Sequence, residues 1–197
     1  MISADDTYSW LIGDYESFAV HVLASILALS AAEAAAQNRP LGEAAGYDDA
    51  PTVLLQWFPH ATAMLSGGGP LTRGPDEAAL LDLLNRGAST GSEYERLLAG
   101  MIARRAQRPN HLWQDLGLRN RGELSMLMND YFAPLARRNT SDMKWKKFFT
   151  RLICRDTEYS LCTAPSCGEC SDFENCFNEE TGESLLAHLR RSAEAAE

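Results

Sequence analysis

Residues 17–36 read SFAVHVLASILALSAAEAAA, and the disposition of this stretch decides the fold. Twenty residues are long enough to span a bilayer as a helix. The stretch also contains His21, Ser25, Ser30 and Glu33, and the segment ahead of it carries Asp5, Asp6, Asp14 and Glu16 with no Lys or Arg. A secretory signal starts with positive charge, and a spanning helix needs a longer uncharged run. Phe18, Val22, Ile26 and Leu29 recur at helical spacing, and the alanine-rich end has high helix propensity. An amphipathic or buried helix from about Tyr15 to Gln37 is expected, with no membrane association and a cytoplasmic location. His21, beside the stripe, is expected to be a hydrogen-bonded core or boundary residue.

Outward from this helix, the chain up to the cysteines continues to read as helix. Arg39-Pro40-Leu-Gly42 ends the first one. A shorter helix opens near Ala50-Pro51, with proline in its first turn, carries Leu54, Leu55, Trp57 and Phe58, and is interrupted at Pro59. Ser66-Gly67-Gly68-Gly69-Pro70 is a strong breaker. No Gly-Lys-Ser/Thr follows it, so it is a connection and not a phosphate loop. Pro75-Asp76-Glu77 starts a third helix with acids in the first turn, and Ser92-x-x-Glu95 is a capping box for a fourth that runs out at Arg108-Pro109. After a short helix and turn within 109–118, a longer helix is expected from Gly122 to Arg138, stopped by Asn139. Ser141-Asp142 is expected to cap the next, Met143 to about Arg155, with Trp145, Phe148, Phe149, Leu152 and Ile153 on one apolar face. Residues 183–196 read as a terminal helix. With no alternating strand pattern and no repeat, the fold class is all-α: an irregular helical bundle over 1–155, a cysteine-rich loop over 156–180, and a C-terminal helix or frayed tail over 181–197.

Four of the five cysteines, Cys162, Cys167, Cys170 and Cys176, fall within fifteen residues as C-x4-C-x2-C-x5-C, and Cys154 lies just upstream. No regular helix or strand aims four sulfurs at one point from this spacing, and Pro165 and Gly168 supply turns. Thiolates this dense bind a soft metal or oxidise. Structural zinc usually takes two separated C-x2-C knuckles, and here there is one. Disulfides suit a secreted chain. A compact run of four cysteines around one C-x2-C is the common layout for an iron–sulfur cluster, which the spacing favours over the other two. Haem attachment is excluded because Ser171, not His, follows Cys170.

The net charge of −9 hides an asymmetry. Residues 101–160 hold 12 of the 18 Lys and Arg but 6 of the 27 Asp and Glu, for a local charge of +6 against −15 elsewhere. Such a segment suits a specific anion or acidic surface, or is a solvated charged face. Arg104, Arg105, Arg137, Lys144, Lys146 and Lys147 are the residues in question. The cysteine stretch itself is acidic, through Glu169, Asp172 and Glu174.

Three blocks now stand together: Pro109-Asn-His111-Leu-Trp113-Gln-Asp115-Leu-Gly117-Leu, then Asn139-x-x-Asp142-Met-Lys144-Trp-Lys-Lys-Phe-Phe149, then the four-cysteine motif followed by Phe177. Over about residues 92–180 the chain resembles the NifQ family of nitrogen-fixation proteins. The resemblance implies an iron–sulfur protein that carries molybdenum and supplies it for assembly of the nitrogenase iron–molybdenum cofactor. It implies Cys162, Cys167, Cys170 and Cys176 as cluster ligands, molybdate or another molybdenum source as donor, and nitrogenase cofactor-maturation proteins as partners. Cys154 and His111 are further candidate metal ligands. For Cys154 the competing reading is a small buried residue at a helix end, and for His111 a capping or hydrogen-bonded histidine.

Two rival functions share a helical body and a cluster. Helical DNA-repair glycosylases end in a four-cysteine loop, but with a wider first gap, and no Gly-rich helix-hairpin-helix turn is present. A cluster-bearing regulator is the other, since residues 112–129 resemble a helix-turn-helix. Its recognition helix would carry Glu123 and Asp130 with no base, and the net charge opposes phosphate binding. No nucleic-acid partner is expected. Without a Ser-His-Asp set, paired carboxylates or a nucleotide loop, the expectation is a carrier and not an enzyme.

Overall fold

A computed structural model describes residues 3–48, 52–66, 71–156, 180, 182 and 184–186. Among these residues the regular structure is helical, with no strand. Helix α1 (Ala4–Ile12) begins with a capping box that hydrophobic periodicity does not reveal. Ser3 Oγ accepts from the Asp6 N–H at 3.0 Å and the Asp6 carboxylate accepts from the Ser3 N–H at 3.2 Å. Its sequence sign is Ser3-x-x-Asp6.

Helix α2 (Phe18–Gln37) follows and is closed by Asn38 in the left-handed region at φ 50°. Val20, Val22, Leu23, Ala24, Ile26, Leu27 and Ala28 are all buried, so it is apolar all round and not amphipathic. It is long and apolar enough to cross a membrane, yet 72% of its most apolar window is buried inside the fold. It is a core helix. His21 is held at both ring nitrogens, by Tyr8 Oη at 2.8 Å and by Glu123 Oε2 at 3.1 Å, as a satisfied boundary histidine should be.

Elements α3 (Leu41–Ala45), α4 (Thr52–Trp57), a 3-10 turn (Pro59–Ala61) and α5 (Thr62–Leu65) wrap one end of the core. Helices α6 (Pro75–Arg86) and α7 (Glu93–Arg105) pack as a pair, and α3 meets α7. That last contact depends on two glycines. A Cβ on Gly46, where φ is +93°, would lie 2.6 Å from the Gly100 carbonyl oxygen, and a Cβ on Gly100 would lie 2.8 Å from the Gly46 carbonyl oxygen.

The Ser92 capping box forms as expected. Oε2 of the buried Glu95 also accepts from the N–H groups of Thr90 at 3.0 Å, Gly91 at 2.6 Å and Ser92 at 3.1 Å. Burial alone would raise the Glu95 carboxyl, but the hydrogen bonds from Thr90, Ser92 and Gly91 outweigh it and lower it below its ordinary value of 4.5.

Short helix α8 (Leu112–Asp115) leads to α9 (Arg121–Tyr131) and α10 (Ala133–Ala136). The single helix expected from Gly122 to Arg138 is therefore broken. Pro134 lacks an N–H and its ring opposes the carbonyl four residues back, so the chain kinks at Phe132, with φ −133° and ψ 41°. The expected Ser141-Asp142 cap is also corrected. Asp142 sits at φ +50°, while Asn139 brackets Met143, accepting from its N–H at 2.9 Å and donating to its carbonyl at 2.8 Å. Helix α11 (Trp145–Asp156) then packs on α6, burying Trp145, Phe148, Phe149 and Leu152.

Two substitutions test this reading. Gly46→Ala forces both the backbone strain and the Gly100 contact, and should cost about 2–3 kcal/mol in urea unfolding. Glu95→Gln removes a carboxylate whose folded-state pKa is depressed. Its stability contribution is complete above pH 4.5 and lost as pH falls through the lower folded value. The variant should be less stable by about 1–2 kcal/mol at pH 7 and show a shallower acid limb in pH-dependent melting.

Candidate functional site

Cys162, Cys167, Cys170 and Cys176 lie outside the described residues, as does most of the expected terminal helix. The described chain does define the two flanks of the cysteine segment. On the entry side, α11 carries Cys154, partly buried near its C-terminal end. On the exit side, Glu180, Gly182 and residues 184–186 are seated on the helical body. Glu180 is buried between His111 and Arg121, with Oε1 3.3 Å from His111 Nδ1 and Oε2 3.3 Å from Arg121 Nη1. Gly182, at φ +138°, lies so close to α8 that a Cβ would come within 2.8 Å of Gln114 Nε2. Leu186 is buried with Ala4, Ala28 and Leu29, against α1 and α2.

His111 occupies the N-cap position of α8, where its backbone N–H donates to Gln114 Oε1 at 3.3 Å. The turn that carries it is held by a network of buried charge. Asp115, with 1% of its side chain exposed, accepts from Asn110 Nδ2 at 3.0 Å and pairs with Lys146 Nζ at 2.5 Å. Its backbone carbonyl accepts from Arg105 Nε at 2.7 Å. Arg105 reaches on to Glu33 Oε2 at 2.5 Å, and Glu33 Oε1 receives Arg39 at 2.6 Å together with Arg108. Burial pulls the Arg105 guanidinium below its ordinary value, against the Glu33 carboxylate, which supports its charge. Three arginines thus converge on one carboxylate of the core helix. A cleft of about 370 Å³ opens beside them, lined in part by Glu33, Arg105, Arg108, Asn110, Asp115 and Leu185.

This network revises the expectation for the basic segment. Arg104 pairs with Glu77 at 3.0 Å, Arg105 with Glu33 and Lys146 with Asp115, so these three are structural and not a solvated face. Lys147 and Arg137 are exposed, and Lys144 is partly buried. No group of three or more His, Cys, Asp or Glu suited to a metal forms among the described residues. Sequence reasoning missed Glu33, Arg121 and Glu180, because ordinary charged residues carry no local sign of what they will meet across the fold.

The described residues on either side of the cysteine segment are thus Cys154 near the end of α11 and Glu180 between His111 and Arg121. The model of the NifQ family matches residues 22–178, which include all five cysteines and His111. The chain belongs to the NifQ family. A NifQ homolog of Sinorhizobium fredii (strain NBRC 101917 / NGR234) is 50% identical over 111 residues, 56% of this chain and 48% of its own. NifQ of Rhodobacter capsulatus is 42% identical over 104 residues, 53% of this chain and 58% of its own. NifQ of Azotobacter vinelandii is 37% identical over 106 residues, 53% and 54% respectively. The chain spans about half the length of these curated relatives. No solved structure matches it. Glu180 and α1 fall outside the span matched by the NifQ family.

Lys146→Met leaves the Asp115 carboxylate buried with Asn110 as its remaining side-chain partner. The variant should lose about 2 kcal/mol in urea unfolding, because the lysine side chain is itself 26% exposed, and Asp115→Asn in the same chain should restore part of the loss.

Proposed function

We propose that this chain is an iron–sulfur molybdenum carrier that supplies molybdenum for assembly of the nitrogenase iron–molybdenum cofactor. The observation that carries this reading is membership of the NifQ family over a span that contains Cys162, Cys167, Cys170 and Cys176. The donor set agrees with it. Four soft thiolates around a single C-x2-C suit an iron–sulfur cluster better than a zinc knuckle. Cys154, near the end of α11, or one of the four motif cysteines is a candidate for a labile ligand released when the metal leaves, and His111, at the start of α8, is a further candidate ligand.

The rest of the chain supports a carrier more than a catalyst. The helical body holds both flanks of the cysteine segment, and the cleft beside it is lined by charges already paired with one another. Arg104, Arg105 and Lys146 are paired with internal carboxylates, which removes these three from any basic surface for a phosphate backbone and disfavours the DNA-binding readings. The partners on this reading are molybdate or another molybdenum source on one side and nitrogenase cofactor-maturation proteins on the other. A reducing cytoplasm would keep the thiols available to metal.

The test is metal analysis and EPR on protein purified without oxygen, beside a Cys167→Ala, Cys170→Ala variant. Iron with substoichiometric molybdenum, both lost in the variant, is the expected result. Zinc alone, or iron that takes up no molybdenum after molybdate loading, would overturn the reading.

A further inference from the structure

Arg39, Arg105 and Arg108 bring three guanidinium groups to the single carboxylate of Glu33. Two further carboxylates belong to the network: Glu43, whose Oε1 lies 3.6 Å from Arg39 Nη1, and Asp115, which is paired with Lys146. Among the described residues, four cations therefore face three carboxylates, and one positive charge is uncompensated. The surplus falls to Arg108. Arg39 has Glu43 as a second partner, and Arg105 is held by both Glu33 and the Asp115 carbonyl. Arg108 shares Glu33 Oε1 with Arg39, and its Nε has no hydrogen-bond partner among the described residues. Burial first, and the charge of Arg108 after it, pull the Arg105 guanidinium below its ordinary value against the pull of Glu33. A further anion beside Arg108, whose side chain is 28% exposed, would supply the missing charge where water screens it only in part.

The cleft of about 370 Å³ opens at this point, and its volume falls at the lower end of the range of small-molecule sites, about 300–1,000 Å³. Its lining joins Arg108 and Asn110 to four apolar residues, Leu29, Ala32, Pro109 and Leu185. An inorganic oxyanion would leave those four uncovered. A neutral apolar molecule would leave the arginine charge uncompensated. A ligand with one negative head and an apolar body satisfies both parts of the lining.

We propose that this cleft binds a small organic monocarboxylate, its head paired with Arg108 and its body lying on Leu29, Ala32, Pro109 and Leu185. The guanidinium donates and the carboxylate accepts, a pairing for which the planar fork of arginine is suited. Removal of the apolar body from water adds to the affinity. The site is built from the helical body, and the inference does not depend on the carrier reading.

The test is a titration of the full chain, ¹³C-labelled at its leucine methyls, followed by NMR. The probes are hexanoate, 1-hexanol (the body without the charge) and acetate (the charge without the body). Hexanoate should shift the Leu29 and Leu185 methyl resonances saturably, and hexanol and acetate should each bind about 10-fold more weakly. Arg108→Gln should weaken hexanoate about 10-fold and leave hexanol unchanged. No saturable shift at these two leucines, hexanol binding as well as hexanoate, or hexanoate binding unchanged in Arg108→Gln would overturn the proposal. The titration is repeated in the Cys167→Ala, Cys170→Ala variant, where binding should persist. Loss of binding there would place the carboxylate on a metal centre and overturn the site. Hexanoate binding to a chain that takes up no molybdenum would sustain the inference while removing the carrier reading. Because the three probes are compared on the unsubstituted protein, a folding defect in either variant leaves the result decisive.

Discussion

Leu23, Ala24, Ile26, Leu27 and Ala28 leave α2 with no face that water could cover, so the remainder of the chain has to enclose it. Each fully buried Leu or Ile of this helix is worth about 1.5–3 kcal/mol, and that gain is realised only when neighbours arrive from every direction. Short elements do much of this work. Helices α1 and α3 pack directly on α2, and α7 is tied to its first turn by a hydrogen bond from Tyr94 Oη to the Ala19 carbonyl at 3.1 Å. An irregular arrangement of helices results, because no regular bundle geometry is required to enclose one central rod.

Enclosure also explains where the charges go. Glu33 lies at the end of the core helix where burial gives way to surface, with 17% of its side chain exposed. A carboxylate there needs partners, and it takes Arg39 from the chain just beyond α2, Arg105 from the end of α7 and Arg108 from the turn that follows. Arg105 continues to the Asp115 carbonyl, and Asp115 is paired with Lys146 of α11. The polar network therefore runs from the core helix to the helix that leads into the cysteines. Buried ion pairs of this kind add little net stability over an apolar equivalent, but each is costly to break on one side only. Their effect here is to fix the turn that carries His111 in relation to α11.

The described residues on both sides of the cysteine segment are consequently attached to one helical body. Cys154 rides on a helix anchored by four buried aromatic and aliphatic residues, and Glu180 is inserted between His111 and Arg121.

The residues alone determined the helical class, the burial of α2 rather than its insertion in a membrane, the Ser92–Glu95 cap and the four-cysteine motif with its family. Each is a short-range signal: periodicity, composition, a three-residue capping offset or the spacing of thiols. Local signals also existed for α1, in Ser3-x-x-Asp6, and for the break at Pro134, although apolar periodicity across Leu127, Tyr131 and Leu135 masked the second. Tertiary structure alone decided the fate of the charges. Whether Lys146 is a solvated cation or the partner of a buried carboxylate depends on Asp115, thirty-one residues away. Whether His111 only caps α8 or also faces a carboxylate depends on Glu180, which lies beyond the whole cysteine segment in the chain. Coulombic and hydrogen-bonding partners are chosen by three-dimensional proximity, and proximity is what the hydrophobic enclosure of α2 sets.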